Sequence, residues 1–283
     1  MIQNEKDKKR NDEADIEYNE SDILEQGDIY FFYRPKKNSS KVKDIDDIRR
    51  FFMVTAPDKQ NNNRYTSKNT RGKFYRLFVI GKKALPEIRK SEARASERYW
   101  ARVGGIFEDQ NDLAKELFSD EFREGDAARP VGAGKYVIVR HQKHAEIAYI
   151  LETPYKPGDA QEELGIEKEA SYIISVINPK SHVPEGFPSA EEHPKYPEEV
   201  LKEFDESENF TSLFEDTRLI DFPNAQVILI GAREGKDIIK DDLGIDIDLD
   251  DDNKRKKDLD ILNKLKTSFK NVPTKPLTEG RLE

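Results

Sequence analysis

The aromatic and β-branched residues of this 283-residue chain fall into short runs, and those runs are stopped by Gly, Pro or charge. Ile29-Tyr30-Phe31-Phe32-Tyr33 ends at Arg34-Pro35, Phe51 to Ala56 at Pro57, and Phe74 to Ile80 at Gly81. Such runs are too short for a buried helix and the right length for strands buried on both faces. A second series follows: Lys135 to Arg140, Ala145 to Thr153, Ala170 to Ile177 before Asn178-Pro179, and Gln226 to Ile230 before Gly231. Tyr99 to Val103 reads as extended too. Gly27-Asp28 opens the first block and Gly134-Lys135 the second, and each block then runs through three apolar strands. Two three-stranded meanders of this kind curl either into a barrel or into a two-layer sheet. The expected fold is therefore α+β, a mainly antiparallel sheet with a few short helices.

Between the strands the helix signals are brief. A turn of helix is expected near Asp46 to Arg50. A helix from Pro86 to about residue 97 follows from proline at a first helical position. A third covers Leu113 to Phe118, with Asp109 or Asn111 as its cap. Asp159 caps a short helix through Leu164 that Gly165 ends, and Pro197 suits the first turn of one through Phe204. His141 and His144 sit where a tight hairpin would turn, although Gln142-Lys143 is poor chemistry for a two-residue turn.

Charged residues make up 37% of the chain, but the ends carry most of the polarity. Residues 1–24 show no apolar periodicity and are expected to be a disordered charged tail. Residues 25–232 read as one domain, and 233–283 as an acidic and basic tail with a marginal amphipathic helix at about 256–270. The absence of cysteine excludes disulfides, thiolate nucleophiles and sulfur-ligated metals. No secretory h-region or membrane-spanning run is present, so the expectation is cytoplasmic, with no membrane partner.

Between Arg34 and Arg102 there are 20 Lys and Arg against 7 Asp and Glu, in a chain whose net charge is −9. In and just before this stretch basic residues alternate with aromatic ones, as in Tyr30 to Arg34, Arg49-Arg50-Phe51, Phe74-Tyr75-Arg76 and Arg98-Tyr99-Trp100-Ala101-Arg102. Rings that stack on bases beside cations that contact phosphates are how single strands are held. Arg49, Arg50, Arg71, Lys73, Tyr75, Arg76, Trp100 and Arg102 are the candidate nucleic-acid contacts. The competing reading makes the rings core and the cations solvated loop tips.

His141, His144 and Glu146 are the metal candidates, because a tight hairpin would put all three on one face for a metal-dependent hydrolase. Other motifs fail. Val131-Gly132-Ala133-Gly134-Lys135 lacks the spacing, the hydroxyl residue and the helix of a phosphate loop. The aspartates of 246–250 lack the Gly and Glu of a calcium loop. No motif calls for a cofactor, and none establishes catalysis.

Gly27 to Pro35, Val139-Arg140-His141, Ala148 to Glu152, and Gly165 to Tyr172 resemble an uncharacterised family of prokaryotic proteins over about residues 25–232. The resemblance implies a shared fold and no activity. The leading functional expectation is a non-catalytic module whose basic, aromatic-bearing N-terminal half contacts nucleic acid or another polyanion. Its alternatives are the metal-dependent hydrolase and a scaffold that meets a protein partner through the C-terminal helix.

Overall fold

The computed structural model describes residues 23–37, 41–58, 74–88, 98–118, 127–141, 144–181, 192–205, 207–214, 217–233 and 273–283. Nine strands make up its sheet: β1 (Ile23–Pro35), β2 (Ile48–Pro57), β3 (Tyr75–Ile80), β4 (Arg98–Phe107), β5 (Arg129–His141), β6 (His144–Thr153), β7 (Glu169–Ile177), β8 (Phe210–Ser212) and β9 (Gln226–Arg233). Every pairing is antiparallel. Around the sheet the order is β6-β5-β1-β2-β3-β4-β9-β7, and β7 pairs back onto β6, so eight strands close a barrel. β8 extends the edge of β7 beyond the end of β6. Closure gives each of the eight wall strands a partner on both sides.

The order of pairing is unchanged when β1, β2, β3 and β4 are exchanged with β5, β6, β7 and β9. The barrel is thus two four-stranded meanders related by a pseudo-dyad through the β1–β5 pair, one strand longer per half than the three-strand grammar of the sequence. Near that axis Asp28 is the register partner of Lys135, and their side chains pair at 2.5 Å. Gly27 and Gly134 flank it. A Cβ on Gly27 would run into the carbonyl oxygen of Ala56, and one on Gly134 into that of Ile150, so each block begins with glycine because the neighbouring strand passes too close for a side chain.

Side-chain alternation divides the apolar residues into two clusters. Ile29, Phe31, Phe51, Met53, Phe78, Tyr136, Ile138, Tyr149, Tyr172 and Ile174 point inward with residues of β4 and β9. Phe32, Phe52, Val54 and Leu77 form an outer cluster with Leu113 and Leu117 of α1 (Gln110–Phe118) and Leu277 of α4 (Lys275–Thr278). Burial of each such ring or aliphatic group is worth about 1.5–3 kcal/mol. The Asp109 carboxylate accepts the Asn111 N–H at 2.5 Å and opens α1. The buried Arg34 closes it, donating from Nη2 to the carbonyls of Glu116 (2.8 Å) and Leu117 (3.2 Å) while lying over the Phe52 ring.

One rim, here the lower, carries Pro35, Ile48, Ile80, Arg98, Arg129 and Thr153; the upper carries Ile23, Pro57, Tyr75, Phe107, His141 and His144. α2 (Asp159–Glu163) and residues 273–283 pack at the lower rim. The fully buried Gln161 side chain donates to the carbonyls of Val131 (2.6 Å) and Pro276 (2.9 Å), and the Gly280 carbonyl accepts the Ala160 N–H. Gly165, at φ +65°, ends this helix as expected. Toward the upper rim pack α3 (Glu198–Leu201) and a 3₁₀ turn at Thr217–Ile220.

Three helix expectations are modified. Residues 86–88 are irregular, and 89–97 lie outside the described residues. The helix after Pro197 stops at Leu201, short of Phe204. The helix expected near Asp46 is a 3₁₀ turn at Ile45–Asp47. The helix expected at 256–270 lies outside the described residues, as do 1–22 of the tail expected at 1–24. Ile23 and Leu24 of that tail instead begin β1, and 273–283 of the expected C-terminal tail pack on the barrel. No helix among the described residues is long and apolar enough to cross a membrane.

Candidate polyanion-binding rim

Antiparallel neighbours bring the end of one strand and the start of the next to the same rim. At the lower rim this concerns β1 into β2 and β3 into β4, four consecutive strands. Exposed Lys36 and Lys37 follow β1, Lys41 and Lys43 lie in the connection, and exposed Arg49 and Arg50 begin β2. Lys82 and Lys83 form the turn after β3, and Arg98 begins β4. The cations are therefore contiguous around one arc of the barrel. Asp44, Asp46 and Asp47 share it, but Asp44 and Asp47 accept the backbone N–H groups of Asp46 and Lys43 and so shape the connection. Lys82 stands 4.3 Å from the centroid of the half-buried Tyr99 ring, and Trp100 packs across Gly81, where a side chain would collide with the indole.

The eight sequence-derived contacts do not share one place. Arg49 and Arg50 are on the arc. Trp100 and Arg102 are half-buried on β4, the latter donating to Asn224 Oδ1 at 2.5 Å. Tyr75 lies at the upper rim against the outer cluster. Arg71 and Lys73 lie outside the described residues, and the strand ends that flank them, Pro57 and Tyr75, belong to the upper rim.

Arg76 turns inward and is 1% exposed. Its Nη1 and Nη2 grip the two oxygens of Glu25 at 2.6 and 2.7 Å, and its Nε donates to Asp221 Oδ1 at 2.6 Å. The Glu25 carboxylate also accepts Tyr136 Oη (2.7 Å) and Thr217 Oγ1 (3.2 Å). Burial works against the Arg76 charge, and Asp221 and Glu25 outweigh it, raising the pKa well above the ordinary arginine value. This cluster ties β1, β3 and β5 to the turn at 217–221 and holds Arg76 away from any outer phosphate. Its parity was legible: Arg76 is in step with the inward Phe78 and Ile80. The carboxylates that it meets, 51 and 145 residues away in sequence, carried no local signal.

Of the metal candidates, His141 and His144 are register partners in a β5–β6 hairpin with a two-residue connection. His144 Nε2 and Glu146 Oε1 are 2.9 Å apart, on the same face as the alternation requires, with Glu146 3% exposed. Among the described residues no group of three or more His, Cys, Asp or Glu stands where it would hold a metal ion.

Searches of family models, of curated proteins and of solved structures found no match.

Proposed function

We propose that this protein is a non-catalytic nucleic-acid-binding module whose contact face is the cationic arc of the lower rim. The observation that carries the reading is the adjacency of four strand ends, which puts Lys36, Lys37, Arg49, Arg50, Lys82 and Arg98 side by side. A continuous set of cations follows a phosphate backbone, whereas the same charges dispersed over a sphere would only solubilise it. Tyr99 and Trp100, half-buried at the same rim, offer ring faces for bases.

The test is binding of single- and double-stranded nucleic acid across a salt series. The expected result is affinity that falls steeply with salt, each phosphate contact adding roughly 0.7–0.9 to the log–log slope. The variant Arg49→Glu/Arg50→Glu should weaken binding and flatten the slope. Absence of binding at low salt, or an unchanged slope in the variant, would remove the reading.

A further inference from the structure

Among the described residues, the three most buried arginines differ in one respect. Arg76 has two carboxylates, and Arg34 holds the carbonyls of α1. Arg129, at the start of β5, is 4% exposed, and its Nη1 is enclosed with no hydrogen-bond partner. Its guanidinium forms no ion pair or hydrogen bond with any described residue. It lies over the Tyr33 ring, with Cζ 5.9 Å from the centroid. The Tyr33 hydroxyl is engaged by the backbone of Glu283, both contacts at 3.2 Å, and the Glu283 carboxylate is held by Lys275 at 3.0 Å. A buried guanidinium without a counter-charge costs several kcal/mol. Its planar fork is shaped for a carboxylate or a phosphate.

Its position says which. Arg129 is the register partner of Tyr33, and the next residue of β1, Arg34, is the partner of Arg50. Arg129 therefore lies one strand beyond the cationic arc, at the same rim. We infer that Arg129 is the seat of a phosphoryl group, supplied either by the end of a bound strand or by a free phosphate ester. The first source rests on the nucleic-acid reading above; the seat itself does not.

The experiment uses the full chain. It is titrated with inorganic phosphate by calorimetry, and with otherwise identical single strands bearing a 5′-phosphate, a 3′-phosphate or no terminal phosphate. Saturable phosphate binding is expected, together with about tenfold tighter binding of one phosphorylated end, the worth of a charge-assisted pair. Arg129→Met should abolish both effects yet still bind the unphosphorylated strand. Arg129→Lys, which retains the charge and protects folding, should lose most of the end preference. Phosphate binding without end preference supports the seat and identifies a free ester as its source. Phosphate binding with no strand binding supports the seat and overturns the nucleic-acid reading alone. A wild type indifferent to inorganic phosphate and to phosphorylated ends overturns the seat, and so does an Arg129→Met protein that keeps the wild-type response to either.

Discussion

Around the middle of the barrel, away from Tyr33 at the lower rim, the two halves fill one interior with different rings. β1, β2 and β3 send in Phe31, Phe51 and Phe78, whereas β5, β6 and β7 send in Tyr136, Tyr149 and Tyr172; none of the six is more than 2% exposed. Phe31 meets Phe51 at 6.1 Å and Tyr149 at 5.2 Å, and Tyr149 stacks on Tyr172 at 6.4 Å, so four of these rings form one continuous column. A phenyl ring needs only space, but a phenol brings a hydroxyl that must be satisfied or desolvated at a cost. Tyr136 finds Glu25, while the Tyr149 and Tyr172 hydroxyls are enclosed with each other and the Glu167 backbone nearby, outside good hydrogen-bonding geometry. The difference extends to the rims. The β3–β4 connection, residues 81–97, has 5 Lys and Arg against 3 Asp and Glu; its pseudo-equivalent, 178–225, has 4 against 12. Strand grammar thus governs closure, and the residues outside that grammar set polarity, so a nearly symmetric barrel carries an asymmetric charge.

The largest effect expected from this contrast is alkaline unfolding. Burial raises the Tyr136, Tyr149 and Tyr172 pKa values above the ordinary phenol value of about 10. The folded state then keeps protons that the unfolded chain releases. Their contribution is fully present below about pH 10 and is lost as pH rises beyond it, at about 1.4 kcal/mol per pH unit for each tyrosine. Denaturant melts from pH 8 to 12 measure this, and replacing Tyr149 and Tyr172 by Phe should move the onset upward. If that variant falls away at the same pH, the phenol half is not the alkaline liability.

Arg76→Met comes next. It leaves the buried Glu25 and Asp221 without their cation and should lower stability by about 3–5 kcal/mol in urea melts. A loss below about 1 kcal/mol would mean that the clasp between the first half and the 217–221 turn is dispensable.

Smaller effects separate the tyrosines. Tyr136→Phe removes a donor from buried Glu25 and should cost about 1–3 kcal/mol, while Tyr149→Phe should stay within about 0.5 kcal/mol of neutral. Equal costs would erase the distinction between satisfied and unsatisfied phenols. The smallest expected change compares the rims. Lys82→Glu should weaken nucleic-acid binding several-fold, about 1 kcal/mol, whereas Lys180→Glu in the acidic connection should leave it unchanged. Equal weakening would mean that the contact face is not confined to the lower rim.

Each wall strand was legible because a strand writes its burial locally, in β-branched and aromatic runs, although β4, β5 and β9 run on through Gly104-Gly105, Gly132 to Gly134 and Gly231, which read as boundaries. Even the pseudo-dyad left a trace in Gly27-Asp28 and Gly134-Lys135. The helix expected from Pro86 does not begin there: Pro86 and Ile88 pack near the barrel end, where Leu85 N bonds the Leu164 carbonyl, and 89–97 lie outside the described residues. Of the candidate site, Arg49 and Arg50 were found from charge alone. Lys36, Lys37 and Lys82 were not singled out and Arg98 was not among the candidate contacts, since nothing in a one-dimensional charge count says which strand ends adjoin.

Composition and periodicity by themselves determined that this chain builds an antiparallel β-rich domain without disulfides, because those properties depend on residues within one run. Tertiary structure decided which cations form an arc, which arginine is clasped inside and which has no counter-charge among the described residues. Arg76 and Arg129 are the same residue type at strand starts, and their fates differ only through partners far away in sequence. Electrostatic pairing acts across space at a few ångströms, so only the closed barrel could assign it.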